Sequence, residues 1–210
     1  MSATAFIDHY LVSLLHVNYL LLGSDFRFGR ERQGDIDLLK RQLMVEIFPD
    51  FTLNKHRISS TSIREFLSKG QLEQAAGLLG RTYGLHGRVI HGDGRGKQWG
   101  FPTADLAIRR LILPLSGVFC VKVRRANGTI LEGVANIGCR PTVDGTKNIL
   151  EVHLFEMNDA LYGEKLHVDF LYKLRKEIKF PSVDALIAQI HDDIAAASAY
   201  FLACRSKLNT

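Results

Sequence analysis

Between Gly92 and Asp105 the chain reads Gly92-Asp93-Gly94-Arg95-Gly96-Lys97-Gln98-Trp99-Gly100-Phe101-Pro102-Thr103-Ala104-Asp105, a glycine-rich cationic stretch that runs into Pro-Thr and a carboxylate. Glycine lets backbone N–H groups approach an anion closely, because no Cβ blocks the φ > 0 conformations of such a turn. Arg95 and Lys97 add fixed positive charge. The Thr103 hydroxyl and the Asp105 carboxylate are hard oxygen donors of the kind Mg²⁺ takes beside a phosphate. An anion cradle and metal ligands in one short run point to a nucleoside triphosphate. The same residues also suit a plain hairpin turn, since glycine clusters mark turns generally, and the spacing of a Walker loop is absent.

Two kinds of element must hold this run. Up to about residue 80 the pattern alternates strand and helix. Residues 6–22 read as an amphipathic helix running into a short buried strand, Tyr19–Leu22. A polar loop, Asp25–Asp35, leads to a helix near Ile36–Leu43 and a second strand at Val45–Phe48. Ser59, Ser60 and Thr61 offer N-caps to a helix with Ile63, Phe66 and Leu67 in its stripe. A further helix carries Leu72, Ala75, Ala76 and Leu79 and stops at Gly80. Two strands are too few for a free-standing parallel sheet covered on both faces. From Gly84 the texture changes to strand-like segments at 85–90, 117–126, 129–137, 149–156 and 166–172, with an Asn127-Gly128 hairpin signal. Close antiparallel strands predict a small barrel, which closes its own edges. Ser182 then caps a helix whose Leu186, Ile187, Ile190, Ile194, Ala197 and Phe201 recur at helical spacing. The expected fold is an α/β segment, residues 1–82, followed by a small antiparallel β-barrel with a C-terminal helix, residues 83–210.

Composition narrows the partners. The 210 residues carry a net charge of +5. Residues 1–80 hold nine charges of each sign, so the positive excess lies in the second part of the chain. A modest excess suits a small anion. No arginine-rich or aromatic-interleaved basic stripe points to nucleic acid. Cys120, Cys139 and Cys204 form no CxxC pair and read as thiols of a reducing compartment. The apolar run Tyr10–Leu22 is too short to cross a bilayer and includes His16 and Asn18. The expectation is a cytoplasmic protein without membrane or nucleic-acid partners.

Five ordered motifs then resemble the prokaryotic bifunctional riboflavin kinase/FMN adenylyltransferase (FAD synthetase) family over nearly the whole chain. They are Gly87–Gly92 with Gly100–Asp105, Ala135–Thr142, Leu150–Leu154, Tyr162-Gly163, and Leu174–Phe180. In the front part, Gly23–Gly29 resembles the flavin/nucleotide loop of the adenylyltransferase domain, and Ile58–Arg64 its late ATP-contacting motif. The family's opening strand and His-x-Gly-His motif should precede both, and neither His9 nor His16 stands in that pattern. The resemblance therefore implies a partial adenylyltransferase domain in which FAD synthesis is lost. Apolar surface left on residues 6–22 predicts self-association.

For the barrel half the resemblance implies a kinase that transfers the γ-phosphate of ATP to riboflavin, with Mg²⁺ as cofactor and FMN as product. It makes Glu151 the general base, and Thr103 and Asp105 the Mg²⁺ and phosphate ligands. Gly92, Gly94, Gly96 and Lys97 become the flap over the ATP phosphates. Asn136 and Arg140 are either binding residues or strand-end residues. Arg175 is expected to steady isoalloxazine or phosphate, and Phe180 either joins it or only leads into the last helix. His153 reads as a structural neighbour of Glu151. Two positions depart from the family pattern: Asp105 stands where Asn is usual, and Trp99 replaces an aliphatic residue and reads as a flap over the turn. A non-catalytic flavin- or nucleotide-binding remnant is the alternative.

Overall fold

The computed structural model describes residues 1–53, 56–92, 94–108, 113–142, 145–155 and 161–208, with the backbone alone for His56, Arg95, residues 139–142 and 145–147, and Leu208. The chain forms two compact units, Met1–Ile58 and Ser59–Thr210.

In the first unit the Ser2 hydroxyl accepts the Ala5 N–H at 3.2 Å and starts helix α1 (Ala3–Phe6), which continues as a π-helical segment over Ile7–Leu14. Strand β1 (Tyr19–Gly23) follows, then a 3-10 turn at Arg30–Arg32 and helix α2 (Ile36–Lys40). The Asp35 carboxylate caps α2 by accepting the Leu38 N–H at 2.9 Å. That bond, with Arg27 at 3.1 Å, holds the carboxyl below its usual value. Strand β2 (Met44–Phe48) pairs parallel with β1, Tyr19 opposite Met44. Strands β3 (Thr52–Leu53) and β4 (His56–Arg57) form a short antiparallel pair. Ala3, Ile7, Phe28 and Leu39 make the small core of this unit. The expected buried strand is buried on one face only. Leu20 and Leu22 pack on that core, while Tyr19 and Leu21 are half exposed, because alternate side chains leave opposite faces of a strand.

The second unit begins with helices α3 (Ser60–Lys69) and α4 (Leu72–Leu79). Ser59 caps α3 by accepting the Ser62 N–H at 3.1 Å. Gly70 and Gly80 end the two helices at φ +75° and +68°, left-handed positions that suit glycine. Their Leu67, Leu72 and Ala75 join the barrel core, so both helices pack in the unit of the barrel.

The barrel is built from β5 (Gly84–Ile90), β6 (Ala104–Ala107), β7 (Gly117–Arg124), β8 (Ile130–Thr142), β9 (Gly145–Leu154) and β10 (Lys165–Arg175). All pairs are antiparallel, and the sheet closes in the order β10-β5-β6-β9-β8-β7. Five of the six strands overlap the strand-like segments expected from the sequence, with β8 running on to Thr142 and β9 starting at Gly145. The sixth, β6, is short and holds Ala, Asp, Leu and Ala, so it has little strand propensity and exists because both neighbours pair with it. A single helical turn, α5 (Arg95–Gln98), sits between β5 and β6. At the β7–β8 hairpin Gly128 has φ +86°, and the Asn127 side chain accepts the Thr129 N–H at 3.0 Å. Phe119, Val121, Ala135, Ile137, Leu150, Val152 and Phe170 fill the interior.

The last helix, α6 (Val183–Leu208), is capped by Ser182, which accepts the Ala185 N–H at 3.2 Å. Its Ala197 and Phe201 cover the outer face of the barrel at Val118, Cys120 and Val134. Burial under this helix pushes the Cys120 thiol up to about 12. Among the described residues no helix is long and apolar enough to cross a membrane.

Candidate functional site

Strand register sets one row of side chains around the barrel. Ile90 pairs with Asp105, Asp105 with Glu151, Glu151 with Asn136, Asn136 with Val118, and Val118 with Arg175. Residues directly opposite one another on antiparallel strands share a face, with Cβ atoms roughly 4.5–5.5 Å apart. The flanking Leu150, Val152, Ala135, Ile137 and Phe119 point into the core. The row therefore looks outward. Arg175 joins it through a bulge: Lys173 pairs with Phe119, and the register then shifts so that Arg175 meets Val118. One extra residue in a strand re-aims the next side chain.

Helix α6 spans this outward row, leaving a cavity of about 390 Å³. On the barrel side the polar lining is Gly94, Gly96, Thr103, Asp105, Asn136 and Glu151, flanked by Trp99, Phe101, Val118 and Val134. The facing wall is mostly apolar, with Ile178 and Phe180 and, from α6, Leu186, Ile190 and Ile194. Such a division accepts a ligand with a flat apolar body and a polar or charged end.

The glycine run is folded tightly against the polar wall. A Cβ at Gly92 would overlap the Asp105 carboxylate. One at Gly96 would strike the Phe101 carbonyl and lie 3.2 Å from the Thr103 hydroxyl. The Phe101 N–H donates to the Gly96 carbonyl at 2.8 Å, so the run closes on itself as α5. Pro102 is held from the other side, because Nδ1–H of His153 donates to its carbonyl at 2.9 Å. The ring of Phe101 meets His153 and His191 edge-on at 6.1 and 4.8 Å.

The structure thus gathers Gly94, Gly96, Thr103, Asp105, Asn136, Glu151 and Arg175 at one cavity. Gly92 lies behind Asp105, and Lys97 is exposed on α5 rather than in the lining. Arg140 lies on β8 opposite Lys147, and its side chain falls outside the described residues, as does that of Arg95. Trp99 and Phe180 both line the cavity. His153, read from the sequence as a structural neighbour of Glu151, holds Pro102. Two residues escaped the sequence analysis. Glu177 lines the cavity beside Gly138, where a Cβ would overlap its carboxylate. Asp193 binds Arg175 from α6 at 2.8 Å. Only Asp193 left a signal, as an acid in the otherwise apolar stripe of its helix.

Thr103 and Asp105 on one wall, behind glycines that leave no Cβ in the way, suit a hard cation. Among the described residues no three His, Cys, Asp or Glu side chains gather to hold a metal. A cation here would complete its shell with water and phosphate oxygens, as Mg²⁺ does.

Comparison with known proteins finds two family models, riboflavin kinase over residues 79–201 and FAD synthetase over residues 1–62. A bifunctional riboflavin kinase/FMN adenylyltransferase of Haemophilus influenzae is 46% identical over 204 residues, covering 95% of this chain and 66% of that protein. The Escherichia coli K12 protein of the same description is 42% identical over 207 residues, covering 96% and 66%. The chain spans about two thirds of the length of these relatives. A crystal structure described as a macrolide-efflux protein from Streptococcus pneumoniae matches with a TM-score of 0.68 at 32% identity, over 92% of this chain and 64% of that one.

Proposed function

The chain belongs to the riboflavin kinase family, and on that premise we propose that residues 83–210 transfer the γ-phosphate of ATP to the 5′-hydroxyl of riboflavin, giving FMN and ADP. The observation that carries the proposal is the row Asp105–Glu151–Asn136–Arg175, fixed by strand register across one face of a cavity with an apolar opposite wall.

Phosphoryl transfer asks a protein for alignment, charge neutralisation and a proton acceptor. Thr103 and Asp105 would hold Mg²⁺, which when bound neutralises charge on the phosphate oxygens. Gly94 and Gly96 let backbone come close to the phosphates. Glu151 is the proton acceptor: its carboxylate stands on the polar wall beside Asp105, where the ribityl hydroxyl must lie if the ring packs on Phe180 and α6. Asn136, next in the row, is placed to orient that hydroxyl. Chromatography of the protein incubated with ATP, Mg²⁺ and riboflavin tests the reading; FMN is expected, and its absence refutes it.

One observation favours the second reading, a flavin- or nucleotide-binding remnant without turnover. Asp105 faces Glu151 directly, which sets two carboxylates side by side, and like charges in that position repel. Saturable riboflavin binding without FMN formation would select this reading. Residues 1–82 are proposed to be part of an FMN adenylyltransferase domain. Neither His9 nor His16 supplies a His-x-Gly-His spacing, so these residues alone are not expected to make FAD from FMN and ATP. A cytoplasmic location fits the substrates.

A further inference from the structure

Asp193 is the one charged side chain buried among the described residues, 6% exposed on the inner face of α6. Its Oδ1 accepts from Nε of Arg175 at 2.9 Å and from Nε2 of Gln189 at 3.1 Å. Its Oδ2 accepts from Nη2 of Arg175 at 2.8 Å. The same guanidinium donates through Nη1 to the Lys176 carbonyl at 3.1 Å and lies 5.6 Å from the Phe180 ring. Arg175 is thus committed to protein partners through Nε, Nη1 and Nη2 and on one face.

A buried ion pair contributes little net stability, because desolvation offsets the attraction. A forked Arg–carboxylate pair does fix geometry. Here it joins the two parts of the apolar wall. Arg175 ends β10 and leads into Ile178 and Phe180, while Asp193 shares α6 with Ile190 and Ile194. The polar wall carries Asp105 on β6, Asn136 on β8 and Glu151 on β9, with Gly94, Gly96 and Thr103 ahead of β6.

We infer that Asp193 is a positioning residue: by gripping Arg175 it holds α6 and the Ile178–Phe180 segment at a set distance from the strand row, and so fixes the width of the half of the cavity that takes the flavin ring. The inference rests on the riboflavin kinase reading of this cavity. It gives Arg175, at the end of the strand row, a holding role as a cation already neutralised by Asp193, and leaves the phosphates to the glycine run.

Asp193→Asn removes the charge at nearly constant volume. The dissociation constant of riboflavin, read from quenching of its own fluorescence, is expected to rise roughly 10- to 100-fold, the scale on which small misplacements act. KM for riboflavin should follow, while KM for ATP moves by less than about threefold and less than KM for riboflavin. A purely structural role would lower the melting temperature and leave the riboflavin constant of the folded protein alone. An unchanged riboflavin constant in folded Asp193→Asn overturns the inference. If that variant does not fold, Gln189→Leu decides: a riboflavin constant raised in the same direction supports it, and an unchanged one overturns it. Wild-type protein that neither binds riboflavin nor forms FMN refutes the functional reading, and the inference falls with it.

Discussion

The two units handle the same problem, an apolar sheet in water, in opposite ways. In the second unit six strands close on themselves, so each strand has a partner on both sides. In the first, β1 and β2 pair only with each other among the described residues. A closed sheet has no edge to protect, whereas an isolated two-stranded one is marginal. The consequence is visible in the side chains. Phe119, Val121 and Val168 are wholly buried in the barrel, while Leu21, Met44, Ile47 and Phe48 on β1 and β2 are 42–70% exposed. Closure also explains why the barrel can carry chemistry. Four fixed registers bring Asp105, Glu151, Asn136 and Arg175 from four strands into one row.

The comparison breaks most sharply at the cores. Phe119→Ala should cost about 3–5 kcal/mol of barrel stability, seen as a lowered denaturant midpoint. In hydrogen exchange, the β7 and β8 amides should outlast those of β1 by orders of magnitude. Equal protection in β1 would contradict the contrast.

Next in size is Asp105→Asn. It relieves the like-charge contact with Glu151 and keeps an oxygen donor at the same place, so kcat/KM for ATP should change by several-fold, about 1 kcal/mol. A gain of orders of magnitude would instead mark Asp105 as the defect that favours the binding-only reading.

Cys120 sharpens the barrel side. With its thiol pushed up to about 12 by burial, it should resist alkylation at neutral pH in the native protein and react once unfolded, as peptide mass spectrometry would show. Labelling of native Cys120 would mean that α6 does not stay closed over Val118 and Val134.

A smaller effect belongs to Glu164, whose carboxyl Arg125 holds below its ordinary value through bonds of 2.9–3.3 Å. A lowered carboxyl adds stability that is present above its unfolded pKa, about 4.3, and is lost as pH falls through the folded value. Glu164→Gln should therefore be less stable than wild type at pH 7, with the gap closing in acid. A gap independent of pH would rule out this origin.

Smallest for activity, Leu21→Lys with Met44→Lys should reduce any self-association seen by light scattering while leaving FMN formation unchanged. Lost activity would make the front unit a participant in the kinase reaction.

Much of this was legible in the sequence, for reasons that differ by residue. Glu151 and its neighbours alternate with Leu150, Val152 and Leu154, so their faces follow from period two alone. Asn127-Gly128 announces its hairpin, and Ser182 its helix. Strand β6 was not legible, because Ala-Asp-Leu-Ala has no strand preference of its own and takes its form from β5 and β9. The bulge that turns Arg175 outward leaves no local mark either. Helices α3 and α4 show their apolar stripes plainly, yet nothing in a stripe says which core it will join; Leu67 and Ala75 chose the barrel.

The central claim is that the strand row is a phosphoryl-transfer site with Glu151 as its proton acceptor. Its most direct test is FMN formation by wild-type and Glu151→Gln protein, with riboflavin binding measured on both. Wild type should form FMN, and Glu151→Gln should lose roughly 10²–10⁴-fold in kcat while binding riboflavin as before. FMN formation by Glu151→Gln at the wild-type rate would contradict the claim.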